Sequence, residues 1–156
     1  MLDEGQGVPD VRVTLPDDSE AALADIARGR AMVVYFYPRD DTSGCTREAQ
    51  DFSAMQGEFE AVEVMVLGVS KDTPARHRKF AEKYDLAVPL ATDGDGSVCE
   101  AFGVWVEKSL YGKRYMGIER ATFLFDESGT LVRAWRKVKV PGHAAAVLEA
   151  VRALSA

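Results

Sequence analysis

Two long apolar runs, AMVVYFY at 31–37 and VEVMVLGVS at 62–70, limit this chain more than any other feature. Both are rich in β-branched and aromatic residues, so each reads as a buried strand. Between them lies one helical stretch that begins at about Cys45. In it Phe52, Met55 and Phe59 recur at offsets of three and four, and Gly57 weakens the far end. Two strands of one sheet joined through a helix run parallel, because the crossover returns the chain to the same sheet end.

The remaining chain continues the alternation. Thr73-Pro74 opens a helix whose stripe is His77, Phe80, Ala81 and Tyr84. The DGDGS cluster at 93–97 is a turn into a short helical piece, VCEAFG. Residues 120–126 and 130–138 read as strands, and the short link between them demands an antiparallel hairpin. A last helix from about Gly142 to Leu154 turns Ala144, Val147, Leu148 and Val151 inward. No repeat, low-complexity tract or linker interrupts the chain, so residues 1–156 are expected to form one domain. The fold class is α/β, with a central mixed β-sheet flanked by helices on both faces: the thioredoxin-like arrangement.

Charge and composition exclude several functions. Net charge is −6 and the 19 Lys and Arg are scattered, whereas a nucleic-acid binder shows a basic face. MLDEGQGVPD lacks a basic-then-apolar signal pattern, and the longest apolar run is too short to span a bilayer. The expectation is a cytoplasmic protein without membrane association. The DGDGS cluster fails as a calcium loop, because the sixth position from Asp93 is Val98 and the twelfth is Val104. His77 and His143 are isolated in sequence, and no GxGxxG or phosphate loop occurs, so no metal or organic cofactor is expected. His77, on its helix stripe, reads as structural.

Cys45 and Cys99 are the two cysteines, and they lack CxxC spacing. In a reducing compartment such a pair is seldom a structural staple. Cys45 falls at a helix beginning, where free N–H groups and the helix dipole favour a thiolate. Thr42, three residues earlier, can donate its hydroxyl to the sulfur or to a bound oxygen. Pro38 fixes φ at the loop start and can shield the sulfur. Glu48, one turn on, suits the orienting of a cation. Two readings of Cys45 remain open on the residues alone: a reactive thiolate, or a small buried hydrophobe filling a gap. Asp40, Asp41, Thr42 and Ser43 argue against a wholly apolar site. A cysteine hydrolase would need a histidine base near Cys45. A non-enzymatic thioredoxin-fold binding module is the third class.

Pro38-x-x-x-Thr42-x-x-Cys45 resembles the active-site motif of peroxiredoxins, and FYPRDDTSGCTREA looks like the peroxiredoxin Q, or bacterioferritin comigratory protein, subfamily. The resemblance continues through LGVSKDT, KFAEKYDLAVPLATD, GIERATFLFD and VPGHAAAVLEAV, and so covers nearly the whole chain. It implies a thiol peroxidase that reduces hydrogen peroxide and organic hydroperoxides. Cys45 matches the peroxidatic cysteine, which becomes a sulfenic acid. Thr42 matches the hydroxyl that contacts the peroxide, Arg120 the family's arginine, and Glu48 the carboxylate that holds it. Without the resemblance, Arg120 reads as a surface charge and Glu48 as an exposed helix residue.

Two positions depart from the common pattern. Ser43 stands where proline is usual and can cap the helix start instead. Gln50 stands where many members carry the resolving cysteine. The resemblance then assigns Cys99 as the resolving thiol of an intramolecular disulfide, which requires both cysteine segments to unwind; Gly94, Gly96 and Gly103 ease the unwinding around Cys99. Otherwise Cys99 is a buried helix residue and the mechanism has one cysteine. In both cases thioredoxin or a glutaredoxin-like protein is the expected reductant of a monomeric enzyme. Trp105, Tyr111, Tyr115 and Met116 are expected to supply an apolar rim suited to organic peroxides.

Overall fold

The computed structural model describes residues 2–154. An N-terminal hairpin of β1 (Arg12–Thr14) and β2 (Glu20–Ala22) leads into a single turn, α1 (Leu23–Ile26). Then come β3 (Ala31–Phe36), α2 (Ser43–Ala54), α3 (Gln56–Ala61), β4 (Val64–Ser70), α4 (Pro74–Tyr84) and β5 (Leu90–Thr92). The second half holds α5 (Ser97–Phe102), β6 (Trp105–Leu110), β7 (Lys113–Ile118), β8 (Ala121–Phe125), β9 (Leu131–Trp135) and α6 (His143–Leu154).

Seven strands form one sheet in the order β2-β1-β5-β4-β3-β8-β9. The two apolar runs are its centre: β3 and β4 pair in parallel from Ala31 opposite Val64 to Phe36 opposite Val69. β8 pairs antiparallel with β3, and β9 with β8, so the sheet is mixed as expected.

Alternation along β3 divides the core in two. Val33, Tyr35 and Tyr37 face one cluster with Cys45, Ala49 and Phe52 of α2, Phe59 of α3, Phe80 of α4 and the inner face of α6. Met32, Val34 and Phe36 face the opposite cluster, built with Leu23 of α1 and with Val98, Cys99 and Phe102 of α5. The Phe102 ring packs on Phe36 and Phe123, with centroids 4.8 and 4.9 Å apart. Burying such a ring stabilises the fold by roughly 1.5–3 kcal/mol, so α5 is pinned despite its brevity. The two cysteines therefore lie on opposite sides of the sheet.

Four details differ from the sequence-based expectation. The helix after Cys45 breaks at Met55 (φ −100°, ψ 4°) rather than fading at Gly57. Thr42, in extended conformation, is the residue preceding α2, and Ser43 is already helical, so Ser43 does not cap it. The short pieces β1, β2, α1 and β5 were not expected. Nor was the separate two-stranded β6–β7 sheet, which turns at Tyr111 and Gly112, both at positive φ. By contrast, the start of α4 is as expected: Thr73 Oγ1 accepts from the Arg76 N–H at 3.2 Å and Pro74 opens the helix.

Candidate active site

β3 delivers the chain to a loop, residues 37–42, that is tied down from three sides. The Tyr37 N–H donates to the Val69 carbonyl at 3.2 Å, which extends the β3–β4 pairing by one residue. The Asp40 N–H donates to Asp72 Oδ2 at 2.8 Å. The buried Asp40 carboxylate accepts the Tyr37 hydroxyl at 2.5 Å and lies 2.7 Å from His77 Nδ1. His77 Nε2 is 2.9 Å from the Ala91 carbonyl, which can only accept, so this nitrogen carries a proton. His77 is structural, as expected, and what it holds is the loop before Cys45. On the outer side Asp41, at φ 60°, accepts from Lys83 at 2.8 Å and from Tyr84 at 2.6 Å.

The third residue of α2 is Cys45, only 1% exposed. Its Sγ lies 3.3 Å from Arg120 Nη2. Arg120 enters between β7 and β8, and its Nη1 donates to Glu48 Oε1 at 2.7 Å. Cys45 and Glu48 are three apart on one helix face, so one guanidinium reaches both through its rigid fork. Gly44 leaves room for the approach. A Cβ there would sit 3.3 Å from Arg120 Nη2, closer than ordinary van der Waals contact, so the guanidinium would have to give by a few tenths of an ångström.

Burial sets the electrostatics. Glu48 is 1% exposed, not the solvent-facing helix residue that its charge suggests. Desolvation pushes its carboxyl up to about 7, and the Arg120 charge and hydrogen bond only partly oppose this. Burial also works against the Arg120 charge, but Glu48 and Cys45 outweigh it and hold the guanidinium protonated. The Arg120 side chain is 17% exposed. Cation and thiol thus meet where water is scarce and a charge-assisted hydrogen bond is strong.

Pro38 and Thr42 line an open depression of about 700 Å³ whose other wall is the β6–β7 hairpin. Trp105, Tyr115 and Met116 form that wall, as expected of an apolar rim. Tyr111 does not take part; it stands at the hairpin tip, 96% exposed. The Thr42 hydroxyl donates to the Arg39 carbonyl at 3.0 Å rather than to the sulfur.

Cys99 has different surroundings. Its thiol is fully buried, and burial first, then Asp93, pushes it far above the usual thiol range. The buried Asp93 carboxylate accepts the N–H groups of Gly96, Val98 and Cys99 at 3.1, 3.2 and 2.9 Å. Gly96 (φ 86°) and Gly103 (φ 70°) bound α5 in left-handed conformations, while Gly94 has no such φ. Both cysteines are free.

Among the described residues neither histidine hydrogen-bonds Cys45. His77 is committed to Asp40 and Ala91, and His143 Nε2 lies 2.7 Å from Thr122 Oγ1. The cysteine-hydrolase arrangement is therefore absent among the described residues. Gly44 and Asp93 carry positions that sequence reasoning missed. An aspartate three residues before a glycine and six before Cys99 was a legible capping signal.

Known proteins give an independent comparison. The AhpC/TSA family profile matches residues 5–134. "Peroxiredoxin Bcp" of Xanthomonas campestris pv. campestris is 47% identical over 144 residues, covering 92% of this chain and 89% of its own. "Peroxiredoxin Bcp" of Bacillus subtilis is 42% identical over 154 residues, covering 99% and 98%. Among solved structures, a cysteine-to-serine mutant of Xylella fastidiosa PrxQ superposes with TM-score 0.93 at 36% identity, over 100% of this chain and 99% of that one. A Xanthomonas campestris bacterioferritin comigratory protein, solved to study its alkyl peroxide reduction activity, gives 0.90 at 43% identity, over 99% and 100%.

Proposed function

Because this chain belongs to the AhpC/TSA family, as a peroxiredoxin of the Bcp or Q type, and is a thiol-dependent peroxidase, we propose that Cys45 is its peroxidatic residue. The observation that carries this reading is the contact of Cys45 Sγ with Arg120 Nη2 at 3.3 Å, with Arg120 fixed by Glu48 at 2.7 Å. The sulfur attacks the terminal oxygen of a hydroperoxide. As the O–O bond breaks, negative charge moves from sulfur toward the departing oxygen, and Arg120 is placed to stabilise it along the way. Thr42 turns its hydroxyl from the Arg39 carbonyl to the bound peroxide. Pro38 shields the site, and Cys45 is left as a sulfenic acid.

Cys99 then resolves the sulfenic acid. Its thiol sulfur displaces water and leaves an intramolecular disulfide, which thioredoxin or a glutaredoxin-like protein reduces. A disulfide needs Cα atoms about 4.4–6.8 Å apart, so the start of α2 and the whole of α5 must open for sulfurs from opposite sides of the sheet to meet. Substrates are hydrogen peroxide and organic hydroperoxides, the latter suited to the Trp105, Tyr115 and Met116 wall. The enzyme acts as a single-domain monomer and needs no cofactor, since sulfur carries the redox change. Two free cysteines suit a reducing cytoplasm. Among the described residues no helix is long and apolar enough to cross a membrane.

The test is peroxide turnover with a thioredoxin system for wild type, Cys45→Ser and Cys99→Ser, with disulfides mapped by mass spectrometry after one equivalent of peroxide. Cys45→Ser should abolish turnover; unchanged consumption would point to the non-enzymatic binding module. Cys99→Ser should leave the first oxidation intact and accumulate the sulfenic acid. The deep burial of Cys99 favours a second reading, resolution by an external thiol, and full turnover in Cys99→Ser would select it.

A further inference from the structure

We propose, on the premise that this chain is a peroxidase acting through Cys45, that Lys108 is a further catalytic residue: its ammonium gives a proton to the oxygen that leaves. The argument starts from the β6–β7 hairpin, which stands outside the main sheet and walls the depression that Pro38 and Thr42 line on the other side. Lys108 lies on β6 opposite Tyr115. Its stem runs along β7, where a Cβ at Gly117 would come within 3.3 Å of Lys108 Cδ and 3.5 Å of Cε. Glycine at 117 leaves room for the stem, and Lys108 lines the depression together with Gly117.

Three cations line that depression, and they differ in what engages them. Arg39 is exposed on the loop. The Lys71 ammonium stands 4.5 Å over the Trp105 ring. Lys108 is half-buried, and among the described residues no carboxylate lies within ion-pair distance of it. Asp72, the acid of the depression, is already committed to the Asp40 N–H, Ser70 and Arg76. Burial first, and then the Arg120 charge, push the Lys108 ammonium down from the ordinary lysine range, while Cys45 and Glu119 draw it back. Lys108 thus lines the same depression as Pro38 and Thr42, and the charges of Arg120 and Cys45 both act on its amine.

Chemistry gives these two cations separate tasks. A guanidinium cannot give up a proton at ordinary pH, so Arg120 stabilises charge without neutralising it. An ammonium whose pKa is lowered is the better acid. The step balances as follows. The Cys45 thiolate forms an S–O bond to the terminal oxygen of ROOH, and the O–O bond breaks. Its electron pair goes to RO⁻, which takes a proton from Lys108 and departs as ROH. Cys45 is oxidised to the sulfenic acid and the peroxide is reduced. The neutral amine regains its proton from water.

The experiment uses the full chain and measures the rate constant of Cys45 oxidation for wild type, Lys108→Met and Lys108→Arg. The probes are peroxyacetic acid, hydrogen peroxide and tert-butyl hydroperoxide, which release acetate, hydroxide and tert-butoxide. A proton matters little to acetate and greatly to the other two. Lys108→Met should therefore lose about 10²-fold with hydrogen peroxide and tert-butyl hydroperoxide, but less than about threefold with peroxyacetic acid. Lys108→Arg, which keeps charge but not acidity, should follow the methionine variant. A uniform loss on all three peroxides, no loss on any, or full rescue by arginine overturns the proposal. The ratio between peroxides within one variant does not depend on how much of it folds. Failure of wild-type Cys45 to react with any of the three would instead overturn the peroxidase reading beneath it.

Discussion

Two helices carry the two thiols, and they are built on opposite plans. α2 has twelve residues, and its cysteine is gripped by a side chain 75 positions away, across the β3–β8 pairing. α5 has six residues, is bounded by left-handed glycines, and is clasped by an aspartate only six positions before its cysteine. Long-range contacts hold Cys45 in one place for chemistry with a small molecule. Cys99 is held by this local clasp and by Phe102, whose ring packs on Phe36 and Phe123 of the sheet, so opening α5 breaks the clasp and undocks one aromatic ring. The contrast bears on the proposed resolution step, in which α5 opens while the β3–β8 frame that holds Cys45 stays in place.

Replacing Arg120 strikes the long-range side hardest. Arg120→Lys keeps a charge but loses the fork that reaches sulfur and carboxylate together. The rate constant of Cys45 oxidation, followed by stopped-flow, should fall about 10²–10³-fold. Asp93→Ala strikes the local side. Leaving three N–H groups at the start of α5 without their carboxylate acceptor should cost about 1–2 kcal/mol in thermal or urea unfolding. Alkylation of Cys99 should speed up while Cys45 oxidation stays within about twofold, because Cys45 packs in the core cluster on the other side of the sheet. If both thiols change together, the two plans are not separate.

Glu48→Gln should slow Cys45 oxidation about tenfold, a further loss of charge-assisted positioning. It also changes the pH response. Glu48 is ionised above about 7, so the pair with Arg120 is present there and is lost as pH falls. The wild-type rate should drop through that window, and the glutamine variant should lack the drop. Stability moves the other way. The folded protein holds the Glu48 proton up to about 7, whereas its ordinary value is 4.5, so ionising the buried carboxyl costs folding free energy. Wild type should lose stability as pH rises from 4.5 to 7, and Glu48→Gln should remove that slope. Gly44→Ala has the smallest effect. Helix propensity should raise stability by up to about 1 kcal/mol. The Cβ, 3.3 Å from Arg120 Nη2, should nevertheless lower the rate about two- to fivefold by displacing the guanidinium.

The sequence shows the centre of this fold more readily than its edges, and the reason is length. β3 and β4 are long enough for a continuous apolar run to stand out, whereas β1, β2 and β5 have three residues each, too few for any period. The β6–β7 hairpin hides for another reason: it is largely exposed and carries charges along both strands, so it shows little contrast between faces. Its Tyr111-Gly112 turn was the available signal. At the site, motif spacing supplied Pro38, Thr42 and Cys45, but Arg120 alone is indistinguishable from a surface arginine. Only the resemblance to peroxiredoxins singles it out in the sequence, and the β3–β8 register is what brings it beside α2. Glu48 misleads for the same reason, because charged residues on helices normally face water. The orientation of the Thr42 hydroxyl follows from loop geometry, which spacing does not encode.

The glycine-bounded helix sets a clock as well as a shape. A six-residue segment whose two ends are already turned by Gly96 and Gly103 has few torsions to search when it winds up again. On the proposed resolution by Cys99, winding α5 takes no longer than the roughly 0.1–1 μs in which a twenty-residue helix relaxes, and re-docking Phe102 against Phe36 and Phe123 follows it. The return of α5 is then a step of packing rather than of helix formation.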